Sequence, residues 1–391
     1  MRITWITRSF LDYRIPLYQE LDSLSGGQLT VIYFKDVVPE RCRKKLGNVL
    51  GERAIALSGE WRLTGKKKQP LSDVKKQAIR IPFQPGLMQA IKESKPDVMI
   101  SDGFFQWTYA PLWLRMAHKI PHIMCYEGTV HTEKNAGKIK TIYRKLAKNA
   151  IDEIVCNGSL SRAYLNQLGI SNDQITDGNM IADLRAKSYE EVSDSPLNKP
   201  TKKSNLGLNQ YVYVYLGRLV PIKGIQEMIN AWISTMGLVK EASLLILGDG
   251  PERPIVEKII EKSTCKNIVF SGELDYSDVP DYLSLGDVFL MPTLQDNWSL
   301  VIPEAMSLGL PILCSNYNGC WPELVKKENG WVFDPLDRES FRLGLLSSWE
   351  KKDSWNKMGK ASEAIIAAYT PSSVANNILS LSKKLTSNRA Q

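Results

Sequence analysis

Two cations follow an apolar stretch in the second half of the chain. The run Tyr211–Leu216 predicts a buried strand, Gly217 permits a close turn, and Arg218 and Lys223 stand five positions apart. In an open parallel sheet, ligands bind beyond the carboxyl ends of the strands. A guanidinium fork and a compact ammonium there suit a diphosphate, and together they can neutralise charge that grows on a phosphate leaving group. A surface turn with two solvated cations explains this segment equally well.

A pair of carboxylates gives the stronger indication. Asp296 precedes a helix that is predicted to begin near Ser299, and Glu304, eight positions after Asp296, is predicted in its second turn. The free N–H groups and the positive dipole end of a helix N-terminus attract anions. A nucleotide sugar would place its phosphates on these amides, its ribose on Glu304 and its sugar hydroxyls on Asp296. The predicted contact residues beside the carboxylates are Trp298, Ser299, Leu300 and Val301.

An apolar helix capped by an aspartate is the alternative explanation of the same segment. It accounts for the apolar pattern around the helix as well as a ligand site does. It does not account for Glu304, because an unpaired carboxylate inside an apolar stretch is costly. We therefore favour a binding site at this helix.

Two glycine-containing turns follow neighbouring apolar runs. The segment Ile-Leu-Gly-Asp-Gly-Pro-Glu contains Gly248 and Gly250 between a strand and a helix, and the segment Phe-Ser-Gly-Glu-Leu ends another strand at Gly272 and Leu274. Glycine allows the backbone to approach a ligand closely. The first turn is predicted to contact a nucleotide and the second to line a base pocket. An ordinary strand-to-helix turn also accounts for either segment alone.

The first half of the chain offers candidates for binding a second substrate. Glu127 and His131 follow a predicted buried strand in the stretch Cys-Tyr-Glu-Gly-Thr-Val-His-Thr, and either side chain can orient an acceptor hydroxyl. Asp102 follows another strand, and Arg8 opens the loop after the first one. A loop in which the glutamate caps the next helix is an equally good explanation of the first stretch.

Aromatic residues surround Asp102, and they are Phe104, Phe105 and Trp107. They are predicted either to stack on a sugar or hold a lipid chain, or to belong to the core, where aromatic residues are more common. His118 and His122 are predicted to be structural.

The elements that carry these residues alternate between strand and helix. Apolar runs separated by amphipathic segments recur along both halves, which indicates βαβ units around parallel sheets. A stretch rich in Ser, Asp, Asn, Lys and Pro interrupts them and is typical of a linker. The predicted fold class is α/β, with two doubly wound Rossmann-like domains facing a cleft. The predicted boundaries are residues 1–185, a linker over 186–209, residues 210–370, and a helix over 371–391 that crosses back toward the first domain.

Composition narrows the class of protein. The chain has 391 residues, 43% of them hydrophobic, which is enough for two cores. Its six scattered cysteines and three histidines have no metal-ligand spacing, so we expect neither disulfides nor a metal site. No apolar run approaches the roughly 20 residues of a membrane span, and the start of the chain is too short and polar for a signal peptide. We therefore expect a cytoplasmic protein.

Positive charge is concentrated in one window. Between Lys35 and Lys95 there are fifteen Lys and Arg against six Asp and Glu, so this window carries +9 while the whole chain carries +8. Such a surface favours an anionic partner, and the nearby apolar residues Trp61, Leu63, Phe83, Leu87 and Met88 favour the inner face of a membrane, where the protein would be peripheral. A solvated surface explains the charge as well. Nucleic acid is not expected, because the window contains no recognisable binding motif.

The order of the motifs in the second half resembles that of the retaining GT-B glycosyltransferases of family four, the glycosyl transferases group 1. The matching motifs are Gly-Arg-Leu…Lys-Gly, Gly-Asp-Gly-Pro, Phe-x-Gly, and a carboxylate pair that runs into Glu-Ala-Met-x-x-Gly-x-Pro. The resemblance covers about residues 210–334, and the first half fits more loosely.

The resemblance implies a GT-B fold and transfer of a sugar, with retention, from a UDP- or GDP-sugar to a glycan or lipid-linked acceptor. Arg218 and Lys223 would bind the donor diphosphate, Glu304 the ribose and Asp296 the transferred sugar, while the amides of residues 299–301 would hold the distal phosphate. No further cofactor is implied. No D-x-D metal motif occurs, and the two cations can replace a divalent ion electrostatically.

Three positions depart from the family pattern. The loop after the first strand lacks paired glycines, Asp296 stands where Glu is usual, and Ser299 stands where Gly is usual. These departures bear on the identity of the sugar more than on the reaction class. The alternatives are another GT-B enzyme, such as a nucleotide-sugar epimerase, and a non-catalytic relative that only binds nucleotide sugars.

Overall fold

The computed structural model describes residues 1–62, 82–104, 107–178, 181, 199–237 and 239–390. These residues form two compact units. The first comprises Met1–Asp183 and Tyr369–Gln391, and the second comprises Leu184–Ala368. Phe105 and residues 186–198 of the predicted linker lie outside the described residues.

The first unit is built on a parallel sheet of seven strands within the described residues. The strands of this unit are β1 Ile3–Thr7, β2 Leu29–Phe34, β3 Ala54–Leu57, β4 Trp61–Arg62, β5 Pro82–Phe83, β6 Val98–Asp102, β7 His122–Tyr126, β8 Glu153–Cys156 and β9 Ile175–Asp177. The sheet has the order β3-β2-β1-β6-β7-β8-β9, while β4 and β5 pair separately as a short antiparallel ribbon. β2 and β3 therefore lie on one side of β1 and the later strands β6 to β9 on the other, so the strand order reverses at β1, as in a doubly wound sheet.

Helices connect these strands and cover the sheet. They are α1 Ile15–Leu24, α2 Glu40–Leu50, α3 Leu87–Glu93, α4 Tyr109–His118, α5 Lys138–Ala147 and α6 Gly158–Gln167. The helix at the end of the chain, Pro371–Ala390, also belongs to this unit. Its residues Val374, Ala375 and Ile378 pack in one core cluster with Trp5 of β1 and Leu21 of α1. The closing helix therefore completes the core of the first unit.

The second unit is built on a parallel sheet of six strands within the described residues. They are β10 Tyr211–Leu216, β11 Ala242–Leu247, β12 Ile268–Gly272, β13 Val288–Met291, β14 Ile312–Ser315 and β15 Gly330–Phe333. Their order is β12-β11-β10-β13-β14-β15. The helices of this unit are α7 Lys199–Asn205, α8 Ile225–Thr235, α9 Arg253–Glu261, α10 Val279–Leu283, α11 Val301–Ser307, α12 Arg338–Glu350 and α13 Trp355–Ile366, which makes Pro371–Ala390 α14.

The core of the second unit explains why β10 is an apolar run. Tyr213 is fully buried, its ring packs edge-on against Trp232 of α8 and Trp355 of α13, and its hydroxyl hydrogen-bonds the Ser348 hydroxyl at 2.8 Å. A buried tyrosine thus has both aromatic neighbours and a polar partner. This packing fixes β10 in the interior of the sheet, and it therefore also fixes the position at which the chain leaves β10.

The described part of the stretch predicted as a linker, residues 199–209, contains a helix. α7 spans Lys199–Asn205, and its Lys203 ammonium donates to the Asp287 carboxylate at 2.8 Å and to the Gln210 carbonyl at 2.9 Å. The polar composition of this stretch therefore produces a surface helix tied by ion pairs to the start of β13.

Candidate active site

The candidate site begins where the strand order of the second sheet reverses. β10 pairs with β11 on one side and with β13 on the other, although β13 lies far along the chain. Chains leaving neighbouring strands at such a point turn to opposite sides of the sheet and leave a crevice. Gly217, Arg218 and Lys223 follow β10, and Asp296 follows β13. The topology therefore brings the two predicted groups of the donor site to the same edge.

Backbone hydrogen bonds join the loops at this edge. The Leu219 amide donates to the Asp249 carbonyl at 2.9 Å, and the Glu252 amide donates to the Leu219 carbonyl at 3.0 Å. The Gly248 amide donates to the Gly272 carbonyl at 2.9 Å. The turns after β10, β11 and β12 are therefore one connected backbone layer, and this layer contains three of the glycines predicted from sequence, Gly248, Gly250 and Gly272.

Two of the site glycines are required by close backbone approach. Gly224 has φ of 68°, and a Cβ there would overlap the carbonyl oxygen of Pro292. Gly248 has φ of 125°, and a Cβ there would overlap the carbonyl oxygen of Gly217. Only glycine combines positive φ with the absence of a side chain at no steric cost. These two residues let the loops after β10, β11 and β13 pack directly on one another.

The loop after β13 is attached to the turn that carries Lys223. Pro221–Lys223 forms a single 3-10 turn. The carbonyl of Ile222 in this turn accepts from the Leu294 amide at 2.9 Å and from the Thr293 hydroxyl at 3.0 Å. The Lys223 ammonium then donates to the Asp296 carboxylate at 2.5 Å. Two residues that are 73 positions apart in the chain therefore form one ion pair at the switch point.

Asp296 is held by its own loop as well as by Lys223. Its carboxylate accepts from the Ser299 hydroxyl at 2.6 Å and from the Trp298 amide at 3.2 Å, and its side chain is 13% exposed. Trp298 and Ser299 are buried. The carboxylate is thus fixed in direction, while Lys223, with 23% of its side chain exposed, keeps a surface for a ligand.

Arg218 and Lys223 differ in their surroundings. Arg218 is exposed, and its carbonyl accepts from the Tyr215 hydroxyl at 3.2 Å. Within the described residues, the guanidinium of Arg218 forms no ion pair, whereas Lys223 is paired with Asp296. Arg218 is therefore a solvated cation beside the pair, available to an anion that reaches this edge.

The helix after Asp296 begins later than the sequence predicted. α11 begins at Val301 with Leu300 as its N-cap, instead of near Ser299, so Glu304 lies in the first turn and the expectation of the second turn was wrong. The reason is that the Asp296 carboxylate holds Trp298 and Ser299 in a turn of their own. Glu304 is partly exposed and accepts from the Tyr276 hydroxyl at 3.2 Å.

Sequence reasoning missed the loop after β14. The Gly319 amide donates to the Asp296 carbonyl at 3.1 Å, and a Cβ on Gly319 would overlap the Asn297 carbonyl oxygen. In the same loop the Asn318 amide oxygen accepts from the Cys320 amide at 2.9 Å. This loop therefore holds the backbone of Asp296 in place. The available signal was a polar Asn-Gly pair a few residues after a buried apolar run.

Tyr276 was also missed as an individual residue. It lies in the loop between β12 and α10, beyond Gly272 and the partly exposed Leu274, and 56% of its surface is exposed. Its hydroxyl reaches Glu304, so the loop predicted to line a base pocket does approach the carboxylate predicted to bind ribose.

The first sheet has its own switch point, between β1 and β6. Here the Arg14 guanidinium lies 3.6 Å from the Asp102 carboxylate, which also accepts from the Trp5 indole N–H at 3.3 Å. Burial acts against the charge of Arg14, but the negative charges of Asp102 and, to a lesser extent, of Tyr13, Tyr18 and Cys125 together outweigh it and raise the pKa of the guanidinium above its usual range. Asp102, predicted to contact an acceptor, is thus engaged by a buried cation.

Arg8 and the aromatic residues beside Asp102 are part of the packing. Arg8 forms a two-pronged ion pair with Glu60 at 2.7 and 2.8 Å, and Glu60 also accepts from the Trp107 indole at 2.9 Å. Phe104 and Trp107 are buried. These contacts favour the core explanation of the two aromatic residues over stacking on a sugar.

Glu127 lies close to the same cluster. Burial raises the pKa of Tyr13, Arg14 opposes this shift, and the negative charges of Glu127 and Asp102 add to it. Glu127 and His131 are both partly exposed. The acceptor candidates Glu127 and Asp102 therefore belong to one edge of the first sheet, with Tyr13 beside them.

Two further features of the described residues concern metals and membranes. In this part of the chain, no group of three or more His, Cys, Asp or Glu is arranged to hold a metal ion. Every helix that is described is too short or too polar to cross a lipid bilayer.

Two protein-family models together match most of the chain. Residues 198–364 match the glycosyl transferases group 1 model, and residues 28–176 match the glycosyltransferase family 4 model. Each match coincides with one of the two units. The chain belongs to the GT-B glycosyltransferases of family four.

Relatives of this family-four glycosyltransferase act on varied substrates. It is 23% identical to the sulfoquinovosyl transferase SQD2 of Arabidopsis thaliana over 77% of the chain. It is 25% identical to the UDP-Gal:alpha-D-GlcNAc-diphosphoundecaprenol alpha-1,3-galactosyltransferase of Escherichia coli, over 73% of this chain and 79% of that one. The match spans only 59% of the length of SQD2, and 57% and 50% of two further relatives.

A solved structure supports the fold. The family-four glycosyltransferase superposes on Alr3699/HepE of Anabaena, solved in complex with UDP, with a TM-score of 0.72 and 15% identity over 98% of this chain and 100% of that one. At this identity the similarity establishes the GT-B fold, as predicted from the sequence.

Proposed function

We propose that this protein is a retaining glycosyltransferase that moves a sugar from a UDP- or GDP-sugar to a glycan acceptor. The observation that carries the proposal is the Lys223–Asp296 pair at the switch point of the second sheet, beside the exposed Arg218. A relative in this family is named for a UDP-galactose donor, and a structural neighbour was solved with UDP.

The donor roles follow from the charges at this edge. Arg218 and Lys223 bind the diphosphate, Glu304 accepts hydrogen bonds from the ribose hydroxyls, and Asp296 accepts them from the transferred sugar. The amides of residues 299–301 face the distal phosphate, since the first N–H groups of a helix have no partner within it. The backbone layer of Gly217, Gly248, Gly250 and Gly272 allows the nucleotide to approach without meeting side chains.

The chemistry needs a stabilised leaving group more than a strong base. The bond between the anomeric carbon and the phosphate oxygen breaks, and the acceptor oxygen attacks from the same face. The acceptor proton passes to the departing phosphate. Arg218 and Lys223 stabilise the negative charge that develops on the departing phosphate oxygen, which is the task a divalent cation performs in other transferases. We propose that no metal or other cofactor is needed.

The first unit supplies the acceptor site in this proposal, with Glu127 and His131 on the loop after β7 and Asp102 and Arg8 beside it. We propose an acceptor in the synthesis of a cell-surface polysaccharide, such as lipopolysaccharide or capsule, or of a glycolipid. A lipid-linked acceptor on the cytoplasmic face of a membrane is supported by the diphosphoundecaprenol acceptor in the name of one relative and by the basic character of this unit.

A donor panel tests the proposal. Purified protein is heated with UDP- and GDP-sugars, and a selective rise in melting temperature identifies the donor, since a ligand that binds the native state stabilises it. Product analysis with that donor then determines the anomer formed on a lipid-linked or soluble glycan acceptor. The proposal expects an acceptor-dependent product with the donor's configuration.

Three results would contradict it. A product formed without acceptor would indicate an epimerase. Binding without turnover over a broad acceptor panel would indicate a non-catalytic relative. An inverted product would exclude the retaining chemistry. Lys223→Ala should weaken donor binding, and Lys258→Ala, on an exposed face of α9, is its matched control, because it removes a lysine from the same unit outside the site.

A further inference from the structure

The outward face of α5 carries three exposed aliphatic side chains. Ile139 is 67% exposed, Ile142 58% and Leu146 67%. At about 100° of rotation per residue, these positions fall within roughly 60° of one another around the helix. They therefore form a continuous apolar stripe, which we call the α5 stripe, and not three isolated surface residues.

The opposite face of α5 is fixed to the first unit. Ala147 packs in a core cluster with Leu165 and Ile154, and the buried Arg144 donates to the Glu133 carboxylate at 2.8 Å. Glu133 belongs to the loop that joins β7 to α5 and that carries Glu127 and His131. The helix cannot turn its stripe inward without breaking a buried ion pair, so the stripe remains on the surface of the folded unit.

Positive charge surrounds the stripe. Lys138 and Lys145 lie within roughly 60° of its edge on one flank, and Lys134, Lys140 and Lys148 lie along the same stretch. No Asp or Glu occurs between residues 134 and 148. An aliphatic stripe on a helix with lysines beside it is complementary to a surface with negative head groups above a hydrocarbon layer. Acidic residues beside the stripe would be repelled by negative head groups, whereas a protein partner would not require their absence.

We propose that α5 docks this protein on an anionic lipid bilayer, with the α5 stripe entering the boundary between head groups and acyl chains. The inference rests on the proposed function in one respect: docking here brings the loop of Glu127 and His131 next to lipid-borne acceptors. It adds a second membrane contact to the Lys35–Lys95 window, in which Trp61 and Phe83 are exposed and Leu87 is buried. Residues 63–81 of that window, Leu63 among them, lie outside the described residues.

Vesicle co-sedimentation with the full chain tests the proposal. The probes are vesicles of phosphatidylcholine alone and of an equal mixture of phosphatidylcholine and phosphatidylglycerol. The stripe variant is Ile139→Ser/Ile142→Ser/Leu146→Ser, and the charge variant is Lys138→Gln/Lys145→Gln. The matched control is Trp113→Ser/Met116→Ser, which removes apolar side chains 49% and 66% exposed on α4 of the same unit.

We expect binding to the mixed vesicles that the stripe variant weakens by roughly tenfold or more and the charge variant by about fivefold or more. The control should bind like wild type, and salt should weaken binding. A stripe variant that binds like wild type would overturn the proposal. So would wild-type binding that is equal on both kinds of vesicle or absent, or a stripe variant whose only change is loss of a dimer.

A label on the stripe gives a second readout. The described cysteines are all buried, so Ile142→Cys introduces one accessible thiol for an environment-sensitive dye. The emission should shift to the blue with mixed vesicles, and an unshifted spectrum would argue against insertion. Donor binding is measured in parallel by thermal shift. All variants should keep it, because the donor site lies in the second unit, and its loss in wild type would refute the proposed function instead of the docking surface.

Discussion

Charge-removing substitutions at the two ends of the Lys223–Asp296 pair should change nucleotide affinity in opposite directions. In the free protein the Lys223 ammonium donates to Asp296 at 2.5 Å. If Lys223 binds the donor diphosphate, the nucleotide must share or replace that contact. Lys223→Ala then removes a ligand contact, while Asp296→Asn removes a competitor for the lysine and a negative charge near the phosphates.

The expected magnitudes follow from the exposure of the pair. A hydrogen bond to a charged group contributes about 1.5–3 kcal/mol, so Lys223→Ala should weaken binding of the nucleoside diphosphate by roughly 10- to 150-fold. With 23% of the lysine and 13% of the aspartate side chain exposed, the pair is screened by solvent. Its own contribution is then at most about 1 kcal/mol, and Asp296→Asn should tighten diphosphate binding by up to about fivefold.

Titration calorimetry with UDP and GDP, and with the sugar donor identified by thermal shift, provides the assay. Asp296→Asn should still bind the nucleoside diphosphate but lose turnover, since the proposed partner of Asp296 is the transferred sugar. Lys258→Ala should leave both the affinity for the nucleoside diphosphate and the turnover unchanged. The reasoning is refuted if Lys223→Ala binds the diphosphate within twofold of wild type, or if Asp296→Asn weakens it as much as the lysine substitution does.

Three further substitutions test other parts of the structure. Glu304→Ala should weaken nucleotide binding by roughly 10- to 150-fold because a charged acceptor for the ribose is lost. Calorimetry with inorganic pyrophosphate, which has no ribose, should show no such effect. An equal loss of pyrophosphate binding would contradict the ribose role. Gly224→Ala should lower the free energy of unfolding by about 1–3 kcal/mol, since its Cβ would overlap the Pro292 carbonyl at φ of 68°, and a urea titration that matches wild type would contradict this. Burial lowers the pKa of His122 to about 4, while the unfolded chain takes up the proton near 6.5; stability should therefore fall by about 2 kcal/mol between pH 7.5 and 5 through this group, and His122→Gln should show a correspondingly flatter pH profile in urea unfolding.

The sequence was sufficient to predict the strands at the centre of each sheet. β2, β10 and β13 begin and end where their apolar runs do, because a strand buried on both faces is apolar at nearly every position and stops at the first turn residue. The order of the family motifs then fixed the GT-B fold. Short edge elements such as β3 and the β4–β5 ribbon were not predicted, since a partly exposed strand of few residues lacks that contrast.

The sequence did not predict which charged groups would pair. Arg8 and Glu60, like Lys223 and Asp296, are far apart in the chain and meet only in the folded unit. Lys223 and Asp296 do so because they follow the neighbouring strands β10 and β13. The start of α11 was misplaced for a related reason. Ser299, near which the helix was predicted to begin, instead donates its hydroxyl to Asp296, and this competing local bond delays the helix. An apolar run is visible in the sequence itself, whereas the partner of a charged side chain is determined by the folded backbone.

The two switch points show why topology alone does not identify a functional site. Both sheets place a cation and an aspartate at the reversal of strand order, Arg14 with Asp102 in the first and Lys223 with Asp296 in the second. Arg14 is buried over the Trp5 ring, and only 8% of its side chain is exposed. A cation desolvated to this degree is committed to its carboxylate, because removing either partner leaves an uncompensated charge in the interior. Lys223 is more exposed and has a solvated arginine close by in sequence, so an incoming diphosphate can exchange with water there at little cost. The degree of desolvation, more than the residue types, therefore separates a pair that holds a sheet together from one that can bind a donor.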